Sequence, residues 1–443
     1  MARLNQLRAH AREIFAAGVK SADPYAAVKQ HVEFSDGVLR VHSRNYDLAK
    51  LGHIFVIGCG KAAAQMARGL QDILGAKIAG GVVVVKHGHG LALDKIKVVE
   101  AGHPIPDQAG FFGAQQVATL VSRAGATDLI LFVISGGGSA LLPMPADGLT
   151  LADKQATTEA LLASGAAIQE VNALRKHLSR LKGGGLARLA FPANTVSLIL
   201  SDVVGDRLDA IASGPTVGDA TTYGDCLEIV RRYELHDKIP RAALDLLTRG
   251  ARGEVAETPK PSASLFQNVQ NVIVGSNRMA IAAAQQQAAA MGYPVRVLSS
   301  LIEGESRAVA ISHCTLIKEI LQRERGAPQP LCLISGGETT VTLRGDGLGG
   351  RNQEFALAAA GEIAGLDNVV VLSAGTDGTD GPTDAAGAIV DGTTVRRGRK
   401  QGLDSHEFLS RNDSYHFLQA TGDLLVTGPT LTNVMDLQVI LIG

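Results

Sequence analysis

The chain reads as an α/β protein of two domains, a parallel-sheet N-terminal domain followed by a smaller α/β C-terminal domain. Three observations predict this. Its 443 residues exceed what one hydrophobic core ordinarily serves, about 100 to 200 residues per domain. Short β-branched runs alternate with Ala-rich helical stretches, the rhythm of parallel strands joined by crossovers. The 51 glycines, with aromatic residues at only 4%, suit a chain of many tight strand-to-helix turns.

The opening "MARLNQLRAHAREIFAAGV" places Leu4, Leu7, Ala11, Ile14 and Phe15 on one stripe, which predicts a packed amphipathic helix. It lacks the apolar core and cleavage site of a signal peptide, and its shortage of acids is only a faint likeness to a transit peptide. Strands follow at "HIFVIG", "GGVVVVK", "IKVVEAG", "DLILFVISGG" and "TVSLILSD". The polar run "TRGARGEVAETPKPSAS" from Thr248 has no apolar periodicity and is the expected linker, giving domains at 1–250 and 265–443. A second series then begins, "VQNVIVG", "GYPVRVLSS", "PLCLISGGETTVTL", "NVVVLSAG", "AAGAIVD" and "LQVILIG". Within it "SNRMAIAAAQQQAAAMG" is a helix with Ser276 as N-cap and Gly292 just past its end. "VISGGGSALL" and "LISGGETTVT" are alike over ten residues, which reads as reuse of one anion-holding turn rather than a duplication.

Composition narrows the function classes. Lys plus Arg (42) and Asp plus Glu (43) nearly cancel, leaving no global field to draw the protein onto nucleic acid or an anionic membrane. No apolar run approaches the roughly 20 residues of a membrane span. Cys59, Cys226, Cys314 and Cys332 are far apart and suggest neither a zinc site nor a disulfide framework. The expectation is a cytoplasmic protein without nucleic-acid or membrane partners.

Chemistry gathers at glycine-rich strand ends. Gly58, Gly60 and Ala63 have the G-x-G-x-x-A spacing of a dinucleotide-binding turn, whose helix start favours an anion. Yet the next strand ends in Lys86, His87, Gly88 and His89, with no acid for ribose hydroxyls. Lys61 fits better as a fixed cation beside a phosphoryl group or a carboxylate, the plain alternative being a solvated lysine. The run Ser135, Gly136, Gly137, Gly138, Ser139 exposes successive amides in the manner of an anion nest, the alternative being a flexible turn. It is neither a Walker A loop nor a hydrolase elbow.

In "NALRKHLSRLKGGGLA", Asn172 and Lys176, one turn apart, are the pair expected to face inward, while Arg175, Arg180 and Lys182 read as a solvated face. Asp202 ends a strand and is a candidate for magnesium or a hydroxyl, or a turn former; Asp206, Asp209 and the turn at Ser213 and Gly214 follow. In the second half Arg351 opens a helix, and Asp377, Asp380 and Asp384 crowd one loop. An arginine fork suits carboxylate or phosphate, and loop carboxylates suit magnesium or a hydroxyl proton. Near the end "TGPTLTNVMDL" repeats the Gly-Pro-Thr theme, and its Thr430, Asn433 and Asp436 are expected to help close the cleft.

These segments together resemble the class II glycerate kinase (glycerate 2-kinase) family, whose C-terminal half is the MOFRL domain. The likeness runs from "DPYAAV" to "NVMDL" and rests on "GCGKAA", "GHPIPD", "SGGGSALL", "NALRKHLSRLKGG", "LSDVVGDRLDAIASGPT", "SGGETTVT", "GGRNQE" and "SAGTDGTDGPTDAAGA". It implies a Rossmann-like N-terminal domain, a MOFRL region at about 330–437, and an interdomain cleft where D-glycerate is phosphorylated to 2-phosphoglycerate by ATP with Mg2+. It further implies Lys61, Arg351 and Asp377 as active-site positions. Arg207 and Leu208 stand where relatives often carry an extra acid, a departure that bears on the metal role of that loop. ATP phosphates would then lie on Ser135–Ser139 with Asn172, Lys176, Ser213 and Gly214, and Asp202 and Asp377 would serve the metal. A homodimer is compatible with this reading. An NAD(P)H-dependent hydroxypyruvate reductase is the alternative, and a sugar-acid or nucleotide sensor a third reading.

Overall fold

The computed structural model describes residues 2–323 and 330–443, which form two compact units. The first unit comprises residues 24–201 and 206–274. A three-stranded antiparallel sheet, β1 (Val32–Ser35), β2 (Val38–Val41) and β3 (Arg44–Asp47), precedes its main sheet and was not foreseen.

The main sheet contains β4 (Ile54–Cys59), β5 (Ile78–Lys86), β6 (Ile96–Ala101), β7 (Leu129–Ile134), β8 (Asn194–Leu200) and β9 (Val269–Gly275), in the order β6-β5-β4-β7-β8-β9. The pairings of β4 with β5 and β7, β5 with β6 and β7 with β8 are parallel. Every residue of β7 is buried, as a central parallel strand with helices on both faces requires. Strand order reverses between β4 and β7, so the loops leaving these two strands lie side by side at the place where open α/β sheets bind ligands. Helices Leu151–Ala163, Ile168–His177, Tyr223–Arg232 and Arg241–Ala251 share a satellite core around Leu161, Val171, Leu174, Ile229 and Leu247.

The run after Thr248 is not a linker. Pro259 accepts from the Asp219 amide at 2.8 Å, and the Glu257 carboxylate takes the Tyr223 amide at 2.8 Å. Lys260 reaches Glu257 at 3.0 Å. Specific polar contacts substitute here for apolar periodicity, which is why a reading of hydropathy alone missed the packing. The chain then adds β9 to the edge of the first sheet, although "VQNVIVG" reads as the start of the second series.

The second unit comprises residues 2–23, 202–205 and 275–443. Its mixed sheet contains β10 (Val295–Glu305), β11 (Leu331–Thr340), β12 (Val369–Gly375), β13 (Gly387–Asp391), β14 (Leu424–Leu425) and β15 (Asp436–Ile442), in the order β10-β11-β15-β12-β13-β14. One face carries helices Ser306–Arg323 and Arg351–Glu362 on a core of Leu333, Phe355, Val371, Val390, Phe417 and Ile440. Helices Ala2–Ser21 and Asn277–Ala290 pack against each other; Gly18 allows this approach, since a Cβ there would stand 3.1 Å from Ala280 O and 3.2 Å from Leu437.

The stripe Leu4, Leu7, Ala11, Ile14 and Phe15 is buried as expected, but in the second unit, whereas the sequence reading grouped 1–250 together. "LISGGETTVT" is no anion turn: it continues as strand β11, and Gly336 makes room for Asn277, whose Oδ1 would lie 2.2 Å from an added Cβ. Among the described residues no helix is long and apolar enough to cross a membrane.

Candidate active site

The two glycine loops of the first unit are locked together. Lys61 N donates to Gly136 O at 2.9 Å, Ala62 N to Ser135 Oγ at 2.9 Å, and Ser135 N to Cys59 O at 3.0 Å. Gly60 permits the contact, with φ of 126° and a position where a Cβ would fall 2.2 Å from Ser135 Oγ. A dinucleotide turn would aim such amides at a pyrophosphate; here those of Lys61 and Ala62 are spent on the neighbouring loop. Gly60 therefore serves the approach of one loop to the other, while Gly58, within β4, makes room for Val133 and Val83 of the flanking strands.

The second loop is the open one. Gly137 adopts φ of 83°, and helix Gly138–Leu141 starts immediately after it. Among the described residues the amides of Gly136, Gly137 and Ser139 have no protein acceptor, as an anion nest requires. His103 closes one side: its ring would lie 2.8 Å from a Cβ at Gly137. Burial pushes that imidazole down to about 4, and the charges of Lys61, Lys86 and His89 add to the effect, so it stays neutral at physiological pH. Lys61 thus joins a cationic surround, while its carbonyl oxygen lies 3.0 Å from His89 Nδ1.

On the other side Ser139 Oγ and Ser213 Oγ are 3.0 Å apart, and Ser213 donates to Asn172 Oδ1 at 3.3 Å. Ala212, Ser213 and Gly214 all have positive φ, between 50° and 64°, a turn that points Ser213 at the nest. The structure therefore brings Ser135–Ser139, Asn172, Ser213 and Lys61 together. Lys176 faces inward as expected, but its ammonium is matched by Asp219 at 3.4 Å and Asp209 at 3.7 Å.

The solvated face expected for Arg175 and Lys182 is a misreading. Lys182 is 3% exposed and donates to Ser139 O at 2.7 Å and Ser139 Oγ at 2.8 Å. Lys154, which sequence reasoning passed over, is 6% exposed. Its signal was faint: one lysine on the buried side of helix Leu151–Ala163.

The second unit holds the other group. Arg351 grips Asp436 in a two-pronged pair, Nε to Oδ2 at 2.7 Å and Nη2 to Oδ1 at 3.0 Å, and its Nη1 meets Glu338 at 2.8 Å. Burial works against the guanidinium charge, but Asp436 and Glu338 outweigh it and raise its basicity. Glu338 is itself raised by burial, with Asp436 and Asp202 adding and Arg351 opposing. Asp380 caps helix Arg351–Glu362, taking Asn352 N at 3.1 Å and Gln353 N at 2.8 Å. Gly350 is required beside it, because a Cβ there would lie 2.3 Å from Asp380 Cγ. Burial pushes Asp380 up to about 6, against the pull of those amides.

Asp377 lies on the same loop, half-buried, with Oδ1 accepting from Thr379 N at 3.1 Å and its carbonyl from Thr430 N at 3.2 Å. Asp202 belongs to this unit through the short segment 202–205. Among the described residues no group of three or more His, Cys, Asp or Glu is placed to hold a metal.

Comparison with known proteins places these features in a lineage. Residues 10–248 match a family described as a domain of unknown function, DUF4147, and residues 331–436 match the MOFRL family. A glycerate 2-kinase of Pyrococcus horikoshii is 43% identical over 425 residues, covering 96% of this chain and 94% of that protein. A protein of Agrobacterium vitis named putative hydroxypyruvate reductase is 44% identical over 395 residues, 89% of this chain and 100% of that protein. The crystal structure of a glycerate kinase from Thermotoga maritima superposes with a TM-score of 0.88 at 39% identity, covering 99% of this chain and 100% of that one. The chain, with its DUF4147 and MOFRL regions in that order, belongs to the glycerate 2-kinase family.

Proposed function

We propose that the protein is a kinase that transfers the terminal phosphoryl group of ATP to the 2-hydroxyl of D-glycerate, giving 2-phosphoglycerate and ADP. Membership of the glycerate 2-kinase family supports the reaction. The observation that carries it is the open amide nest at Gly136, Gly137 and Ser139, set at the reversal point of the first sheet and flanked by cations. Phosphoryl transfer asks for positioning and charge neutralisation more than for covalent work by the protein, and this site offers both.

In this reading Ser135–Ser139, with Asn172, Ser213 and Gly214, hold the nucleotide phosphates. Lys176, matched by its two carboxylates, positions the helix that bears Asn172. Lys61 lies on the γ-phosphate or the substrate carboxylate. Arg351 uses three of its five N–H donors on Asp436 and Glu338, leaving two for phosphate or carboxylate. Asp377 orients the 2-hydroxyl and receives its proton as the new P–O bond forms and the bond to ADP breaks. Asp202 and Asp377 would hold Mg2+ together with the phosphates; when bound, the ion neutralises charge on the transferring group.

The reductase named among the relatives needs a nicotinamide dinucleotide, and the spent amides of Lys61 and Ala62 speak against that use of the first turn. Incubating the protein with Mg-ATP and D-glycerate should yield ADP and 2-phosphoglycerate, identified by phosphorus NMR. Oxidation of NADH or NADPH by hydroxypyruvate, with no ADP formed in the first mixture, would sink the kinase reading. Lys61→Ala should lower turnover by about 10²- to 10³-fold, the usual loss for one preorganised electrostatic group.

A further inference from the structure

Buried charges in proteins are nearly always matched by an opposite charge. Helix Ile168–His177 shows the rule with Lys176, which faces Asp219 and Asp209. Close by, the rule is broken. Lys154 is 6% exposed, and its Nζ has no hydrogen-bond partner among the described residues. Lys182 donates to neutral oxygens alone among those residues: Ser139 O at 2.7 Å, Ser139 Oγ at 2.8 Å and Ala212 O at 3.5 Å. Arg175, half-buried on the same helix as Lys176, is near enough for its charge to act on both lysines. Lys182 holds Ser139, in the first turn of the helix that follows the nest, so its amine stands against the open amides, with Lys154 and Arg175 close enough to act on it electrostatically.

We propose that Lys154, Lys182 and Arg175 form the inner wall of an anion pocket behind the Ser135–Ser139 nest, and that this pocket takes a doubly charged phosphoryl group. A carboxylate brings one charge and two oxygens, too few for this set of donors. A phosphoryl group brings about two charges and three oxygens, enough to answer the open donors of Lys154, the unmatched charge of Lys182 and the amides of Gly137 and Ser139. The group belongs either to the nucleotide or to the phosphorylated product. The naming of those two ligands rests on the kinase reading; the pocket itself rests on the unmatched cations.

A proton should move with the ligand. Burial pushes Lys182 down to about 7, Arg175 adds to the shift, and Cys59 opposes it. The groups facing Lys182 are Lys154, Arg175, the hydroxyls of Ser139 and Ser213, the Ala212 carbonyl and Cys59, whose thiol burial pushes up to about 12 and so stays neutral. Lys154 is depressed as well, by burial first and then by Lys182 and Arg175. An arriving dianion favours the charged form of both lysines, so binding near pH 8 is accompanied by proton uptake.

The test is isothermal titration of the full chain at about pH 8 with ADP, 2-phosphoglycerate, inorganic phosphate and D-glycerate, each in two buffers of different ionisation heat. Wild type should take up a proton with ADP or with 2-phosphoglycerate, and whichever ligand does so identifies the source. Lys154→Met and Lys182→Met should each weaken that ligand by about 10- to 100-fold, the scale of one charge-assisted hydrogen bond, and abolish the uptake. Both variants should melt no lower than wild type without ligand, because each removes an amine that loses its hydration and gives up its proton on folding. Unchanged affinity for every phosphorylated ligand, or weakened D-glycerate alone, overturns the inference. Should a variant fail to fold, the wild-type measurement decides: no proton uptake with any phosphorylated ligand overturns it. ADP formation by wild type with unaltered variants would leave the kinase reading standing without the pocket; variant-sensitive phosphate binding without ADP formation would leave the pocket without that reading.

Discussion

Lysines in this chain show how one residue type takes its role from its surroundings. Lys176 is neutralised by two carboxylates, whereas Lys182 is dehydrated and, among the described residues, has only hydroxyl and carbonyl oxygens as acceptors. That difference has a pH signature. Because Lys182 falls from 10.5 to about 7 on folding, the unfolded chain holds a proton that the native one sheds between those values. Native stability from this residue therefore rises with pH across the window, and the full penalty applies below about 7. Lys182→Met should melt above wild type at pH 7, with the gap closing toward pH 10, as followed by circular dichroism. A gap independent of pH would assign the gain to packing instead. None of this could be read from "HLSRLKGGG", where a basic residue every few positions has the pattern of a solvated face; burial there is set by helices distant in sequence. Lys61 and the nest were legible because glycine spacing next to an apolar strand is a local signal.

Elements carry the next set of consequences. Gly350 is too close to Asp380 to be any other residue, so the N-terminus of helix Arg351–Glu362 is capped from a loop far along the chain. Asp380→Ala should cost about 1–2 kcal/mol, the usual loss of a cap, and loosen the start of the helix that carries Arg351. Thermal melts measure the first effect and a rise in KM the second. Helix Ala2–Ser21 is fastened by charge as well as by its apolar stripe. Arg8 bridges Asp391 and Asp423, each at 2.8 Å, and Arg397 meets the same two carboxylates. Arg8→Ala should destabilise by somewhat less than the about 3–5 kcal/mol of a fully broken buried pair, since Arg397 remains. The strands of the two six-stranded sheets, apart from the two-residue β14, and the Ser276 cap followed from alternation and capping residues. The attachment of β9 and of the first helix did not, because periodicity says which face is apolar and not which partner covers it.

At the scale of the molecule the chain begins in one unit, builds the other, and returns. Residues 275–443 expressed alone should therefore be unstable. Burying Leu4, Leu7, Ile14 and Phe15 contributes about 1.5–3 kcal/mol each, together comparable with the about 5–15 kcal/mol of a whole domain. A peptide of residues 1–23 added to that fragment should raise its melting temperature, and a peptide with Ile14 and Phe15 changed to Ser should not. The two-domain α/β class was legible from length and rhythm, while the return path was not, since nothing local marks a helix as belonging to strands hundreds of residues away.

The position of β15 has a consequence for how such a chain is made. It is the last in chain order among the described strands, yet it sits between β11 and β12 in the middle of its sheet. The centre of that sheet cannot zip shut before β15 has been made, so until then the leading helix has its helical neighbour but lacks the sheet that covers the rest of its greasy stripe, a window in which chaperones would find their client.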